Sequence, residues 1–358
     1  MSFVKVCLFG IYNPQYARNY VLKSGFLKHG YTVVECRVDP TEHTGLTKYW
    51  LLYKEYRKIR KEHFEHIIVC FPGHITVFIA RLLFGKKIIF DVFISLYDSN
   101  VFDRQTYGPN TLRAWRDWLL DWSSCRLAST LLFDTKEHIH YFSETFGVAQ
   151  SKCIRVFIGT QDDIFYPRPT PNNKTFTVTF HGSFIPLHGV SYIVEAAQIL
   201  RDEEILFHMI GEGPETRATQ NKIHALNLHK SVLFFGRVSL EELAQHIARS
   251  DISLGIFGNT PKAFRVIPNK IYESMAMQKA IITADTPAVR ELLSEKTTLL
   301  IPSANPTALA SAILELKHDE IKRRQIALAA RELFQSSLLP EHIVGRLLSS
   351  LKEHRLYP

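Results

Sequence analysis

Residues 264–277 read Phe264-Arg265-Val266-Ile267-Pro268-Asn269-Lys270-Ile271-Tyr272-Glu273-Ser274-Met275-Ala276-Met277, and the apolar run Ala280–Thr283 follows them. The pattern predicts a loop that enters a short helix, and then a β-strand. Proline is well tolerated near a helix start because its missing N–H would be unpaired there anyway. A helix followed directly by a buried strand is typical of a parallel sheet covered by helices.

The alternation of strand and helix continues on both sides of this stretch. In the C-terminal half, apolar runs predict strands at Thr175–His181, Ile205–Ile210, Val232–Phe235, Ile252–Ile256, Ala280–Thr283 and Thr298–Ile301. In the N-terminal half, similar runs predict strands at Val4–Phe9, Tyr31–Cys36, His66–Phe71, Lys87–Phe93, Thr130–Phe133 and Cys153–Ile158. Continuous apolar runs separated by helices indicate parallel sheets covered on both faces. The sequence therefore predicts two doubly wound α/β domains.

The length and one polar segment divide the chain. A chain of 358 residues predicts two domains, at roughly 150 residues each. Residues 159–174 are polar and contain three prolines, which is typical of a linker. We expect an N-terminal domain at 1–165 and a C-terminal domain at 170–339. Helical spacing at 340–358 predicts a last helix, which in such folds packs back on the first domain.

The charge of the chain favours an anionic partner. There are 43 Lys and Arg residues against 35 Asp and Glu, a net charge of +8. Phosphorylated ligands, nucleic acid and an anionic membrane surface would all complement this excess.

The cysteines and the apolar runs bear on the compartment. The five cysteines are widely spaced and mostly inside apolar runs, so we predict no disulfide framework and no zinc site. A reducing cytoplasm fits best. The N-terminus is expected to be a buried strand and not a signal peptide. Polar interruptions in the apolar window at 67–84 argue against a spanning helix.

The start of the helix within residues 264–277 is a candidate anion site. Free N–H groups behind Pro268 and the helix dipole attract negative charge, and Lys270 adds a full positive charge. Glu273 lies one turn after Lys270, so both side chains can face one cleft. A carboxylate there is suited to accept hydrogen bonds from ribose hydroxyls. An ordinary capped helix with an internal Lys–Glu pair explains the same spacing, and both interpretations stay open.

Two glycine-containing turns follow predicted strands. His181-Gly182-Ser183 leads to His188-Gly189, and Gly211-Glu212-Gly213-Pro214 follows the next strand. Each places a close backbone turn at the carboxyl end of a strand, where ligands bind in parallel sheets. The dinucleotide-binding fingerprint is incomplete, because Thr216 occupies its third glycine position.

Together, these turns, Phe235-Gly236-Arg237-Val238, Asp251 and the Lys270–Glu273 helix resemble the family 4 retaining glycosyltransferases of GT-B fold. The resemblance spans the C-terminal half and extends more loosely to Gly10, Asp134-Thr135 and residues 159–167. It implies two doubly wound Rossmann-like domains that face each other across a cleft. It also implies a nucleotide-diphosphate sugar as donor, UDP- or GDP-linked, with no bound metal or other cofactor.

The resemblance assigns residues to the donor. Glu273 matches the second glutamate of the family's E-x7-E motif, which typically binds the ribose, and residues 235–238 match the loop along the base. The backbone at 267–270 would hold the diphosphate. The residues expected at the donor are Gly10, Gly182, Ser183, His188, Gly211, Glu212, Arg237, Val238, Ile267, Pro268, Asn269, Lys270 and Glu273.

Three features depart from the family pattern. Arg265 stands where the first glutamate of E-x7-E is expected. Ser183 and His188 stand near the positions of the family's diphosphate-binding Arg and Lys, and Phe93 stands near that of its N-domain histidine. We expect Arg265 and Lys270 to replace the lost cations, since Arg suits bidentate phosphate contacts. The alternative is a non-catalytic GT-B-like protein that binds nucleotide sugars.

The implied reaction transfers a sugar, with retained configuration, to a lipid-linked or polysaccharide acceptor in cell-envelope glycan synthesis. The candidate catalytic residues are Arg265, Lys270, Glu273 and Asp91. The departing phosphate can accept the proton of the acceptor, as proposed for the family, and Asp91 is a candidate base with a structural role as the competing interpretation. The expected acceptor-side residues follow predicted strands or lie in the polar segment after Asp91, and they are Tyr12, Asn13, Arg18 and Tyr97.

Two N-terminal segments combine apolar and basic residues. Residues 48–61 carry six basic side chains against Glu55, which fits a helix on anionic lipid or a helix that packs on the sheet with solvated charges. Residues 111–122 contain three tryptophans and are a second surface element or core, with core favoured. We expect a cytoplasmic protein, peripheral on the inner face of the membrane in the lipid-binding case.

Two further functions compete. No recognised nucleic-acid motif accompanies the positive charge, which places nucleic-acid binding last among the anionic partners. An enzyme of similar fold that isomerises the sugar of a nucleotide sugar fits the C-terminal motifs less well than a transferase does.

Overall fold

The computed structural model describes residues 4–170 and 175–356. Within them the chain forms two compact units. The first comprises Met1–Val101, Gln105–Thr160 and Leu338–Pro358, and the second comprises Phe102–Arg104 and Gln161–Ser337. The division after Thr160 lies inside the polar segment at 159–174, of which residues 171–174 lie outside the described residues.

The first unit is a parallel sheet with helices on both faces. Its strands are β1 Lys5–Ile11, β2 Thr32–Val38, β3 His66–Val69, β4 Ile89–Asp91, β5 Thr130–Phe133 and β6 Cys153–Arg155. Its helices are α1 Ala17–Lys28, α2 Thr47–Ile59, α3 Thr76–Phe84, α4 Leu112–Leu127, α5 Lys136–Phe146 and α13 Pro340–Leu356. The strand order is β2-β1-β3-β4-β5-β6. Four β5 residues in succession are buried, as expected of a strand covered on both faces.

Each face of this sheet has its own apolar core. Helices α2 to α5 cover one face, with Leu52, Val77 and Phe142 among the buried side chains. Helices α1 and α13 cover the other face. These two helices are so close that a Cβ atom at Gly25 would lie 2.3 Å from Cγ2 of Val344. The last helix therefore completes the core of the first unit.

The second unit repeats this architecture. Its strands are β7 Phe176–His181, β8 Ile205–Ile210, β9 Val232–Phe235, β10 Ile252–Leu254, β11 Ala280–Ala284 and β12 Leu299–Ile301. Its helices are α6 Val190–Ile199, α7 Thr216–Ala225, α8 Leu240–Arg249, α9 Asn269–Ala276, α10 Pro287–Arg290, α11 Pro306–His318 and α12 Glu320–Ser337. The order is β12-β11-β10-β7-β8-β9, and all pairings in both sheets are parallel. Both units thus confirm the predicted doubly wound class, and the predicted strands agree with the observed ones to within a few residues.

In the second sheet the strand order proceeds to one side from β7 to β9 and to the other side from β10 to β12, so the topological switch point lies between β7 and β10. Ile252 of β10 pairs with Val178 of β7, and the loops that follow the two strands also join. The N–H groups of Phe257 and Gly258 donate to the carbonyl oxygens of His188 and Leu187, at 3.1 and 3.2 Å. Helix α9 begins just after this junction. Ligands of doubly wound sheets bind at such a switch point, at the carboxyl ends of the strands.

Helix α4 differs from the prediction of a core element. Trp118 and Trp122 pack against the core, but Leu112, Trp115 and Leu119 are exposed. One side of the helix is core and the other is surface. Helix α2 packs an apolar stripe on the sheet, which is one of the two interpretations of residues 48–61, and it also exposes Trp50.

All five cysteines are free thiols. Among the described residues, no helix is both long enough and apolar enough to cross a membrane.

Candidate functional site

Two glycine turns of the second unit pack directly on each other. The N–H of Gly182 donates to the carbonyl of Ile210 at 2.9 Å. Gly211 has a φ of +118°, and a Cβ atom there would lie 2.1 Å from the carbonyl oxygen of Gly182. Only glycine combines this backbone conformation with so close an approach. The turns that the sequence analysis placed after separate strands therefore form one structure at the carboxyl ends of β7 and β8.

The loop after β9 joins the same structure. The N–H of Gly211 donates to the carbonyl oxygens of Phe235 and Gly236 at 3.0 and 3.1 Å. Nε of Arg237 lies 3.6 Å from Oε2 of Glu212. Both of these side chains are exposed, so their ion pair contributes little to stability. The two charges remain open to a ligand.

Lys270 of α9 points at the first turn. A Cβ atom at Gly182 would lie 3.0 Å from the Lys270 ammonium nitrogen, and that nitrogen lies 4.2 Å from the centre of the Phe180 ring. The nitrogen is buried, and within the described part of the chain it has no hydrogen-bond partner. Burial lowers the pKa of Lys270 well below its ordinary value, against a smaller opposing effect of Glu273. A nearby anion would offset this effect and favour the charged form of the amine.

His188 lies beside Lys270. Its Nδ1 is hydrogen-bonded to the carbonyl of Ser183, and a carbonyl only accepts, so Nδ1 carries the proton. Burial, together with the charge of Lys270, lowers the pKa of His188 well below its ordinary value. The imidazole is therefore neutral near pH 7, and it does not replace a phosphate-binding cation in the free protein.

His181 and Glu273 form a buried pair that the sequence analysis did not assign. Nε2 of His181 lies 2.6 Å from Oε2 of Glu273. This hydrogen bond joins the end of β7 to the second turn of α9 and fixes the carboxylate. Nδ1 of His181 is buried, and no partner for it occurs in the ranges 4–170 and 175–356. The sequence feature that could have indicated His181 as a site residue is its position at the end of an apolar strand, directly before Gly182.

The first turn of α9 lies in the same region. Pro268 is its N-cap, with extended backbone, and gives the helix no side-chain cap. Ile267 is fully buried, whereas Asn269 is half-buried. The first-turn N–H groups and Lys270 thus provide positive potential at the switch point of the sheet.

Three further residues expected at the donor are Ser183, Val238 and Arg265. Ser183 is exposed at the first turn, and Val238 is half-buried just before α8. Arg265 is half-buried in the loop before α9, and its N–H donates to the carbonyl of Lys262 at 3.0 Å. Contact of Arg265 with a diphosphate remains a prediction.

The residues predicted from the first half lie in the first unit. Gly10 is at the carboxyl end of β1, with a φ of +147°. Tyr12 is buried and donates its hydroxyl proton to Glu35 at 3.1 Å. Asn13 is exposed, and its side-chain oxygen accepts the N–H of Gln15 at 2.8 Å. Tyr97 is half-buried and packs against the core. Of these residues, Asn13 is the one whose side chain is open to an acceptor.

Arg18 and Asp91 differ most from their predicted roles. Both side chains have 0% exposure. Nη2 and Nε of Arg18 donate to Oδ1 of Asp91 at 2.7 and 3.0 Å, and Nη1 donates to the carbonyl of Phe157 at 3.2 Å. The pair ties α1 to the ends of β4 and β6. Asp91 is thus an internal ion-pair partner, which fits the structural interpretation and not that of a base; the burial of Arg18 likewise argues against acceptor contact.

No cluster of three or more His, Cys, Asp and Glu side chains is placed to hold a metal ion in the described ranges. What the site offers instead is a buried ammonium, helix N–H groups and a fixed carboxylate. This combination suits a phosphorylated ligand that also carries hydroxyl groups.

Comparison with known protein families locates the match in the second unit. Residues 175–319 match the family described as glycosyl transferases group 1. The probable glycosyltransferase WbjE of Pseudomonas aeruginosa is 31% identical over 151 residues, which are 38% of this chain and 34% of that protein. The aligned region thus spans about a third of this curated relative.

Solved structures match both units. Sucrose-phosphate synthase from Thermosynechococcus elongatus has a TM-score of 0.73 at 15% identity, over 99% of this chain and 98% of that one. HepE from Anabaena, solved in complex with UDP and glucose, has a TM-score of 0.73 at 15% identity, over 98% of this chain and 100% of that one. These likenesses establish the GT-B fold. The expected GT-B fold is confirmed, and the expected resemblance to glycosyltransferases is confirmed for residues 175–319.

Proposed function

We propose that this chain, whose residues 175–319 belong to the group 1 glycosyl transferases, is a retaining hexosyltransferase. It would move a sugar from a nucleotide-diphosphate sugar to a lipid-linked or polysaccharide acceptor in cell-envelope glycan synthesis. The enzyme would work in the cytoplasm, peripheral on the inner face of the membrane.

The observation that carries the proposal is the buried side-chain nitrogen of Lys270, which has no hydrogen-bond partner among the described residues. An unpartnered cation beside a glycine turn and a helix N-terminus is costly unless an anion joins it. A diphosphate supplies that anion and accepts hydrogen bonds from the first-turn N–H groups of α9. We assign the diphosphate to this position, with Arg265 as a further contact.

Glu273 is the residue we assign to the ribose. His181 holds Oε2 of its carboxylate at 2.6 Å, which leaves Oε1 for a ribose hydroxyl. The loop at 235–238 would then lie along the base. UDP is the first nucleotide to test, because HepE is solved with UDP and glucose.

In the proposed reaction, the bond between the anomeric carbon and the diphosphate breaks. The acceptor oxygen bonds to that carbon on the same face, and its proton passes to an oxygen of the departing phosphate. Lys270 and the N–H groups of α9 stabilise the charge that develops on the leaving group. The burial of Asp91 supports a route in which that residue is not the base.

The test is turnover of UDP- and GDP-sugars by the whole chain, read as release of nucleoside diphosphate and as product formed on lipid-linked and polysaccharide acceptors. The anomeric configuration of the product is read by NMR. Lys270→Met should lower turnover by roughly 100-fold or more. Lys230→Met, which removes an exposed lysine elsewhere in the second unit, should have no effect.

A second candidate function is non-catalytic binding of nucleotide sugars, favoured by Arg265 in place of the family's first glutamate. Saturable donor binding without turnover on any acceptor would support it over transfer. An inverted product would refute the retaining mechanism, and equal turnover by Lys270→Met would refute the site.

A further inference from the structure

Helices α2, α3 and α4 form one continuous layer on one face of the first sheet. All three contribute to the same core. The hydroxyl of Tyr56 on α2 donates to the carbonyl of Leu83 on α3 at 3.1 Å, and α3 packs against α4. We name the side of this layer that faces away from the sheet the outer helical surface.

Large apolar side chains line the outer helical surface. Each helix, counted with its N-cap residue, carries three of them at intervals of three or four residues, so they form a stripe away from the buried side. Leu82 is 85% exposed, Leu112 89% and Trp115 64%. The nine residues are Leu46, Trp50, Tyr53, Ile75, Phe78, Leu82, Leu112, Trp115 and Leu119. Single exposed apolar residues are common on proteins, but three such stripes on helices of one layer indicate an interaction surface.

Basic side chains surround these stripes. The exposed ones on and next to the three helices are Lys54, Arg57, Lys58, Arg60, Lys61, Lys86, Lys87, Arg113 and Arg116. Two of these basic side chains are paired within the helices, Lys58 with Glu55 and Arg116 with the buried Asp117. The third acidic side chain of the three helices, Asp121, is buried and hydrogen-bonded. The other seven basic side chains have no acidic partner on these helices. The outer helical surface is therefore both apolar and cationic.

We infer that the outer helical surface binds the interface of an anionic phospholipid bilayer. Trp and Tyr rings are favoured where lipid headgroups meet the hydrocarbon, and Lys and Arg attract anionic headgroups. Lys54 places its ammonium 3.5 Å from the centre of the Trp50 ring, so a cation and an aromatic group occur together at one contact. A second copy of this chain is a poorer occupant, because two cationic surfaces would meet.

The test is co-sedimentation of the whole chain with vesicles of phosphatidylcholine, with and without phosphatidylglycerol. Binding is expected to the anionic vesicles, with a blue shift of tryptophan fluorescence, and high salt should weaken it. The double variant Trp115→Ser/Leu119→Ser should reduce the vesicle affinity roughly tenfold or more. Ile321→Ser/Leu328→Ser, which removes two exposed apolar residues of α12 in the second unit, is the matched control and should bind like the wild type.

A charge variant separates the two parts of the interaction. Arg57→Gln/Lys61→Gln should lower the affinity for anionic vesicles and reduce its salt dependence. Lys230→Gln/Lys296→Gln, which replaces two exposed lysines of the second unit, should do neither. Circular dichroism of each variant establishes that it is folded. Absence of wild-type binding to anionic vesicles, or equal binding by the Trp115→Ser/Leu119→Ser variant, would overturn the inference.

A third measurement addresses the alternative occupant. Light scattering tests for a wild-type dimer that Trp115→Ser/Leu119→Ser converts to a monomer. If such a dimer occurs and the wild type does not bind vesicles, the surface is an interface between two copies of the chain and the inference is wrong. Vesicle binding requires no donor and no turnover. It can therefore fail while sugar transfer succeeds, and the reverse also holds.

Discussion

At the scale of the residue, Lys270 should couple ligand binding to proton uptake. Burial holds the pKa of Lys270 well below its ordinary value in the free protein. A bound diphosphate would raise that pKa, because negative charge nearby favours the ammonium. The complex then binds more protons than the free protein, so donor affinity should fall as the pH rises through the pKa of the free lysine.

Calorimetry of UDP binding in buffers of different ionisation enthalpy measures this uptake. His188 contributes in the same direction, since its pKa is also lowered by burial and by Lys270. The uptake should shrink in Lys270→Met and stay unchanged in Lys230→Met. Equal proton uptake by Lys270→Met would assign the effect to another group.

His181 should set the position of the Glu273 carboxylate, which we assign to the ribose. Loss of a hydrogen bond to a charged group costs about 1.5–3 kcal/mol. We therefore expect His181→Phe to weaken nucleotide-sugar binding roughly 10- to 100-fold, with a larger effect on KM than on kcat.

His181→Asn tests whether a donor at this position is sufficient, and it should recover part of the affinity. His208→Phe is the comparison variant, because His208 occupies the neighbouring strand β8. If His181→Phe and His208→Phe bind UDP equally well, His181 has no positioning role.

The Arg18–Asp91 pair should matter for stability more than for chemistry. Asp91→Asn leaves a fully buried guanidinium without its counter-ion, a change that costs about 3–5 kcal/mol. Thermal unfolding should show the first unit melting earlier. Turnover per folded molecule should stay near the wild-type value, and a large loss there would restore Asp91 as a catalytic candidate.

Sequence spacing could predict some of these residues and not others. Lys270 and Glu273 are three residues apart on one helix, so their common orientation follows from helical geometry. His181 and Glu273 are 92 residues apart, and their contact depends on how β7 meets α9. Arg18 and Asp91 are 73 apart. Polar residues after strands look alike in a sequence, whether they end at a ligand or inside an ion pair.

At the scale of the element, helices α1 and α13 pack closely against each other at Gly25. A Cβ atom at Gly25 would lie 2.4 Å from the carbonyl of Pro340, so Gly25→Ala must push the two helices apart. Overpacking of this kind typically costs about 1–3 kcal/mol.

Differential scanning calorimetry should show this cost as a lower Tm of the first unit. Gly108→Ala is the matched control, since a Cβ there meets no atom within 4 Å, and it should leave the Tm unchanged. An unchanged Tm in Gly25→Ala would mean that α13 can shift without loss.

The elements themselves were the most predictable part of the structure. Buried parallel strands are short apolar runs, and β8 and β9 begin and end at the predicted residues. Helix α4 shows the limit of such prediction. Its tryptophans recur at helical spacing on two sides, and spacing alone does not say which side meets the sheet.

At the scale of the whole molecule, our proposals assign the excess of positive charge to two binding sites. Lys270 and Arg265 are assigned to one diphosphate. The outer helical surface contains a larger number of basic side chains. Composition could not reveal this surface, because it depends on which side chains of the three helices face solvent. Neither of these two assignments involves nucleic acid.

The way α13 completes the first unit has a consequence for biosynthesis. The helix follows the second unit in the chain, so the ribosome must translate residues 161–337 before it makes the segment that covers α1. At about 5–20 residues per second, the part of the first unit that ends at Thr160 waits roughly 10–35 s for the segment that covers α1. During that interval the nascent first unit is a natural client for a chaperone, and the second unit can finish folding before the first.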